Sequence, residues 1–300
     1  MCEGEKMSET ISKEDVKRVK GLGFLRNKGT DQFSGRVITE NGVVDTAQMA
    51  CIMEAANKFG NGKLAFTTRL TVECPGIPYE KIEDFRDHLK SGGLETGGTG
   101  PKVRPVTSCK GTICQYGLID TFGLATKIHE RFYKGYRDLT LPHKFKIAVG
   151  GCPNNCMKPD LNDVGIIGQL VPEVDQAACK NCKSCGVIKA CPVNAAKMSG
   201  EQIEIDRETC LNCGLCVGKC PFDAVWAGAN GYKLVIGGRW GKQVAIGQAL
   251  NQIFTSEEAL LSMIEKIILF YSREGEKGER FSQTIQRLGF SEVERALIKN

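Results

Sequence analysis

Twelve of the fifteen cysteines in this 300-residue chain fall into three spaced sets, and cysteine is the residue type here with the most chemistry to offer. Two of the sets form a repeat. Cys179-x2-Cys182-x2-Cys185-x5-Cys191-Pro192 is followed, thirty-one residues on, by Cys210-x2-Cys213-x2-Cys216-x3-Cys220-Pro221, and Val174-Asp175 and Ile205-Asp206 open the two copies. Three cysteines in a tight CxxCxxC run place three thiolates on one face of a 4Fe–4S cubane. The distant Cys-Pro supplies the fourth ligand to the other cluster. The spacing therefore assigns Cys179, Cys182, Cys185 and Cys220 to one cluster, and Cys210, Cys213, Cys216 and Cys191 to a second. Two four-cysteine zinc sites are the bland alternative, and the paired Cys-Pro endings speak against them. The two-residue insertion before Cys191 lengthens its connection without removing the ligand.

The third set is Cys109-x4-Cys114 and Cys152-x3-Cys156, two pairs separated by 37 residues. Spacing alone allows zinc or a 4Fe–4S cluster. Histidine is scarce, which argues against a mixed Cys/His zinc protein: the chain has His88, His129 and His143 and no other. His88 and His129 fall in helical patterns and read as structural. His143 reads as a surface residue whose place beside Lys144 makes it a candidate for proton delivery. Cys2, Cys51 and Cys74 stay unassigned, with Cys51 best read as core. Cations stand close to these cysteines. Arg104 precedes Cys109 by five residues, and Lys144-Phe145-Lys146 leads towards Cys152. Two lysines two apart on a strand share one face. A solvated pair is the ordinary reading of such lysines, and Arg69, alternating with Phe66 and Leu70, could also simply face water.

Elements that must position these groups can be read from periodicity. Residues 1–20 are polar and read as a loosely held arm. Asp45 and Gln48 form a capping-box variant before Met49, Ile52, Met53, Ala56 and Phe59, and Gly60-Asn61-Gly62 stops that helix. Leu64, Phe66, Thr68, Leu70 and Val72 alternate as in one strand. A second helix begins near Pro78 with Ile82, Phe85 and Leu89 on one face. Residues 91–101 form a Gly-rich loop that fails the phosphate-loop spacing. After Cys114, Leu118, Phe122, Ala125, Ile128 and Phe132 keep helical spacing. Lys144–Gly150 and Leu234–Ile236 read as strands. Two or three helices close the chain, the clearest carrying Ala259, Leu260, Met263, Ile264, Ile267 and Ile268. The pattern is α+β.

Composition narrows the function. Apolar residues make up 41% and charged residues 25%, as in ordinary globular chains. The longest apolar stretch, Leu260–Tyr271, is too short to span a bilayer and is broken by Glu265 and Lys266. The charged start shows no secretory h-region, so the expected location is cytoplasmic. There, unpaired cysteines are metal ligands before they are disulfides. The formal charge of +5 would suggest a polyanion partner. Three four-thiolate clusters at about −2 each bring it to about −1, so nucleic acid is not expected.

Several segments together resemble the sirohaem-containing sulfite and nitrite reductases. They are Leu64-Ala-Phe-Thr-Thr-Arg69, Cys74-Pro-Gly-Ile77, Arg104-Pro-Val-Thr-Ser-Cys109, Gly151-Cys-Pro-Asn-Asn-Cys156, Asp163-Val-Gly-Ile-Ile-Gly168 and Gly237-Gly-Arg239. The likeness runs from about Arg36 to Tyr271. It is nearest to the compact one-repeat branch that includes the C-type chains of anaerobic sulfite reductases, with a ferredoxin domain inserted. Two departures stand out. Four residues, not the usual five, separate Cys109 from Cys114, and Leu70 replaces a Gln common in larger relatives. The shortened pair is still expected near the N-terminus of the following helix, where a net-negative cluster is favoured.

The resemblance implies a sulfite-reductase-type half-repeat: a ferredoxin-like half-domain over residues 21–100, a sirohaem/4Fe–4S domain over 101–172 and 229–300, and a two-cluster ferredoxin insert over 173–228. It implies sirohaem and three 4Fe–4S clusters, with Cys156 as the thiolate bridging the third cluster to the haem iron. It matches Arg69, Arg104, Lys144 and Lys146 to anion-binding positions. It offers Arg36, Lys102, Lys110, Arg239 and Lys242 as partners for the sirohaem carboxylates, and places Cys74 near that pocket without ligating. The implied reaction is the six-electron reduction of sulfite to sulfide, with nitrite as the other substrate. A non-catalytic electron carrier is the competing class. With no nicotinamide or flavin motif, electrons are expected from ferredoxin or donor subunits, and one repeat where larger relatives have two implies a homodimer.

Overall fold

The computed structural model describes residues 11–298, so Cys2 lies outside the described residues. The chain divides into two compact units, Met1–Pro105 and Val106–Asn300.

In the first unit, α1 (Lys13–Gly21) is capped by the Ser12 hydroxyl, which accepts from the Asp15 amide. Acidic residues in its first turn and basic ones in its last suit the helix dipole, and Val19 is fully buried. From residue 13 onwards the expected loose arm is thus an anchored helix. β1 (Phe24–Arg26), β2 (Gln32–Val37), α2 (Thr46–Phe59), β3 (Ala65–Phe66), β4 (Val72–Pro78) and α3 (Ile82–Ser91) follow. The sheet is antiparallel in the order β1-β2-β4-β3. Its core gathers Phe24, Phe33, Ile52, Phe59, Ile77 and Phe85. Asp45 and Gln48 form the expected reciprocal cap of α2. Met53, expected on the apolar face, is half exposed, and Ala55 takes the buried place. The single strand expected over 64–72 is broken. Residues 67–71 turn the chain sharply between β3 and β4.

The second unit holds β5 (Thr107–Ser108), α4 (Thr121–Ile128), β6 (Ile147–Gly150), β7 (Val164–Val174), α5 (Gly186–Ala190), β8 (Ala196–Ser199), β9 (Gln202–Ile205), β10 (Val225–Ile236), β11 (Gln248–Phe254), α6 (Glu257–Glu274), α7 (Phe281–Leu288) and α8 (Phe290–Ile298). Its main sheet runs β11-β10-β7-β6-β5. β5, β6 and β7 are parallel, while β7, β10 and β11 are antiparallel. β10 begins at Val225, nine residues before the expected strand, because it pairs with β7 out to Val174. The cysteine-rich insert hangs from the far end of this long ribbon. It has a small core of its own, built from Val187, Ala196, Ile203, Ile205, Cys216, Ala224 and Val225.

Candidate functional site

The third cysteine set is built at the carboxyl ends of two neighbouring parallel strands. Cys109 follows β5 and Cys152 follows β6, with Thr107 beside Ala148 and Ser108 beside Val149. Ligands of open α/β sheets gather at such strand ends. The Cys109 amide donates to the Val149 carbonyl at 3.0 Å, and the Gly151 amide points at Cys109 Sγ at 3.2 Å. Burial pushes the Cys152 thiol up, the Asn154 amide opposes this, and the negative charge of Cys109, Cys156 and Cys114 adds to it. Cys152 thus feels all three partners. Within the set Cys156 is exposed, while Cys109, Cys114 and Cys152 are partly covered.

Three glycines make this approach close. A Cβ on Gly151 would lie 2.8 Å from Gly111 Cα, and one on Gly168 would lie 2.4 Å from the Gly151 carbonyl oxygen. Cys109 and Cys114 do not lead directly into a helix N-terminus, as expected, but flank a 3-10 turn at Gly111–Ile113. α4 begins only at Thr121. The Asp120 carboxylate takes its Gly123 amide and the Thr112 hydroxyl takes its Phe122 amide, so these donors are spent within the loop.

Lys144 and Lys146 lie in extended chain just before β6, both half-buried, with Phe145 fully buried between them. The Lys146 amide donates to Asp163 Oδ2 at 2.9 Å. Asp163 is 0% exposed, and both its oxygens accept from Arg280 Nη2 at 3.0 and 2.9 Å. Burial pushes the Asp163 carboxyl up, while Arg280 and the Lys146 amide pull it down. The Lys144 amide donates to His143 Nδ1 at 2.7 Å. His143 is partly exposed, with Nδ1 taken up by this bond.

In the insert, Cys191, Cys210, Cys213 and Cys216 line one small pocket. Burial pushes the Cys216 thiol up to about 11, with Cys210, Cys213 and Cys191 adding their charge. At Cys191 the order reverses. Burial raises the thiol, but the amides of Ala196, Val193, Ala195 and Asn194 together bring it below the usual range. Cys179, Cys185 and Cys220 pack on the same small core, and Cys182 is exposed. Among the described residues no three His, Cys, Asp or Glu side chains are drawn together tightly enough for a single metal ion. Four thiolates are the donor set that a cubane requires.

The first unit gathers arginines around one loop. Arg36 Nη1 and Arg104 Nη1 both donate to the Gly98 carbonyl, and Arg69 Nη2 donates to the Pro105 carbonyl at 2.8 Å. Arg36 is also ion-paired with Glu73, so its charge is already partnered. Arg69 sits in the 67–71 turn. There Thr67 Oγ1 accepts from the amides of Arg69 and Thr71 and bonds the Thr71 hydroxyl at 2.7 Å. Leu70 takes φ 59°, a left-handed conformation uncommon for a branched residue. The Thr39 hydroxyl donates to its carbonyl, and Gly42 packs on its side chain. Thr67→Val keeps the shape and removes these bonds. It is expected to lower the urea midpoint, by about 1–2 kcal/mol in stability, with far-UV circular dichroism unchanged. An unchanged midpoint would mean that these bonds do not hold the turn.

The remaining expected residues are scattered. Lys102 is half-buried and Lys110 exposed. Arg239 donates to Gln243 Oε1 at 2.9 Å in an exposed loop that also carries Lys242. Cys74 is wholly buried in the first unit's core, where burial pushes its thiol up to about 12. Cys51 is half-buried against that core. His129 is buried against the Tyr133 ring, and His88 lies edge-on to Phe59. Asp163, Arg280 and the three glycines were given no role from sequence. Asp163 and Gly168 bound one of the family-like segments, which was the signal that could have found them.

A family model described as the nitrite and sulphite reductase 4Fe-4S domain matches residues 99–300. The chain belongs to that family. A second model, the nitrite/sulfite reductase ferredoxin-like half domain, matches residues 26–92. Both parts of the expected α+β half-repeat are therefore present. Relatives include a coenzyme F420-dependent sulfite reductase of Methanocaldococcus jannaschii, 33% identical over 80% of this chain and 38% of that protein. The C-type chain of the anaerobic sulfite reductase of Salmonella typhimurium is 29% identical over 56% of this chain and 51% of that one. The chain thus spans well under two thirds of these two relatives. Among solved structures, a dissimilatory sulfite reductase I aligns with a TM-score of 0.70 at 21% identity, covering 89% of this chain and 69% of that one. That likeness shows the fold. Among the described residues no helix is long and apolar enough to cross a membrane.

Proposed function

We propose that this family member reduces sulfite to sulfide, taking up six electrons at a sirohaem joined through Cys156 to a 4Fe–4S cluster on Cys109, Cys114, Cys152 and Cys156. The observation that carries the reading is the third cysteine set, gathered at two parallel strand ends where the Gly151 amide beside Cys152 meets Cys109 Sγ, with the Cys156 thiol exposed to meet a second group. When bound, the sirohaem–cluster pair supplies the iron that takes the anion and the store of electrons beside it. The chain's part is to bind, orient and protonate. Arg69 and Arg104 present N–H donors to the anion oxygens. Lys144 and Lys146 hold positive charge on one face of the chain before β6 and deliver protons as S–O bonds break. Lys102, Lys110, Arg239 and Lys242 are available to the sirohaem carboxylates. Arg36, partnered by Glu73, is the weaker candidate.

The insert cysteines, Cys179, Cys182, Cys185 and Cys220 in one set and Cys191, Cys210, Cys213 and Cys216 in the other, hold two further clusters that receive electrons from ferredoxin or a donor subunit. The protein works as a cytoplasmic homodimer or within a larger assembly. Purified anaerobically, it is expected to yield an acid–acetone-extractable chlorin pigment and about twelve non-haem irons per chain. It is expected to turn over sulfite faster than nitrite with reduced methyl viologen. Iron near eight with no pigment, from cells that make sirohaem, would leave an electron carrier. Faster nitrite turnover would reassign the substrate.

A further inference from the structure

Resting on the reading that three clusters are present, we infer that the insert clusters are ordered: Cys191, Cys210, Cys213 and Cys216 hold the inner one, against Cys152, and Cys179, Cys182, Cys185 and Cys220 the outer one. Three observations within the second unit carry this. One open pocket is lined by Tyr116, Leu118 and Cys152 together with Cys213, Gly214 and Leu215. The Cys179–Cys185 loop contributes nothing to that lining.

The second observation is a fixed contact on β7. The Leu170 amide donates to the Asn212 carbonyl at 2.8 Å, and Leu170 bridges Cys213 in parallel fashion. Gly214, at φ 70°, allows it, because a Cβ there would come within 2.5 Å of Leu170 Cδ2. Two residues earlier on the same strand, Gly168 presses on the Gly151 carbonyl beside Cys152. A strand rises about 3.3 Å per residue, so these two contacts are about 7 Å apart along β7. Third, the other loop starts only after β7 ends at Val174, and its Cys182 and Lys183 are exposed. The chain therefore places the third set, then the Cys210–Cys216 loop, then the Cys179–Cys185 loop along one ribbon. Electron tunnelling falls steeply with distance, so a donor reaches the outer set first and Cys152 is served by the inner one.

The test uses the loaded full chain and reads potentials, not turnover. Leu215 and Lys183 are both exposed members of CxxC loops, so a carboxylate at either stays in water. Negative charge lowers the reduction potential of a nearby cluster. In redox titrations followed by electron paramagnetic resonance, Leu215→Glu is expected to lower two of the three cluster midpoints and Lys183→Glu one. Two midpoints moved by Lys183→Glu, or one by Leu215→Glu, would overturn the order while iron near twelve left the proposed function standing. Iron near eight in the parent chain would instead remove that function, and this order with it.

Discussion

Asp163→Asn is expected to destabilise the second unit by about 3–5 kcal/mol, the usual consequence of stranding one partner of a buried ion pair. Arg280 is 4% exposed and Asp163 0% exposed, so no water takes over the lost charge. The carboxylate also accepts the Lys146 amide, and the Asp163 carbonyl accepts the Gly237 amide at 2.9 Å. Arg280 itself begins α7, its amide donating to Gln283 Oε1 at 3.0 Å. One residue therefore joins the chain entering β6, the start of β7, the end of β10 and the closing helices. The measurement is an anaerobic urea titration followed by tryptophan fluorescence, with Trp226 and Trp240 both in this unit. The midpoint is expected to fall with the slope unchanged. Adding Arg280→Met removes the stranded charge and is expected to restore much of the midpoint. If the proposed reaction holds, sulfite turnover is expected to be low in Asp163→Asn and in the double variant alike, because in both the Lys146 amide lacks its charged acceptor. Recovery of both properties together would mean that Asp163 serves stability and does not position Lys146.

Local rules written in few residues were legible in the sequence. The Asp45–Gln48 cap and the face of α3 that buries Ile82, Phe85 and Leu89 needed only neighbours three or four positions away. Cys191, Cys210, Cys213 and Cys216 line one pocket, a nearness the repeat spacing already suggested, while what they hold belongs to the proposed function. The turn at 67–71 was hidden because alternation of Phe66, Thr68 and Leu70 continues through it. No Gly, Asn or Pro marks the reversal, and Leu70 takes the left-handed conformation itself. What holds it there lies thirty-one residues away, in Thr39. The long β7–β10 ribbon was underestimated for a related reason. Its outer part, Trp226 to Asn230, is largely exposed and, after Trp226, built of small, weakly strand-forming residues around Gly228, and it is a strand because β7 runs beside it. Asp163 was given no role from sequence, because the buried arginine that partners it lies 117 residues later.

Gly151→Ala tests the third cysteine set where the loops after β5 and β6 meet. The added Cβ would lie 2.8 Å from Gly111 Cα, 3.2 Å from Thr121 Cγ2 and 3.5 Å from Cys109 Sγ. The nearest neighbour is backbone, and Thr121 is fully buried with its hydroxyl donating to the Cys109 carbonyl at 2.8 Å. Neither can move aside without carrying Cys109 with it. On the other side, the Gly151 carbonyl accepts the Leu118 amide at 2.9 Å and is pressed by Gly168. The loops after β5 and β6 must therefore separate, and four thiolates that share one cluster tolerate little separation. The variant is expected to lose about four irons per chain, the extractable pigment and all sulfite turnover. The insert lies on its own core and should keep its two reduced-cluster signals. Gly21→Ala is the control, since a Cβ there meets nothing within 4 Å and favours the end of α1. It should keep the full iron content and activity. Should Gly151→Ala also keep twelve irons and its turnover, the strand-end cysteines would not be the ones that hold the catalytic group, and the proposed reaction would lose the site that carries it.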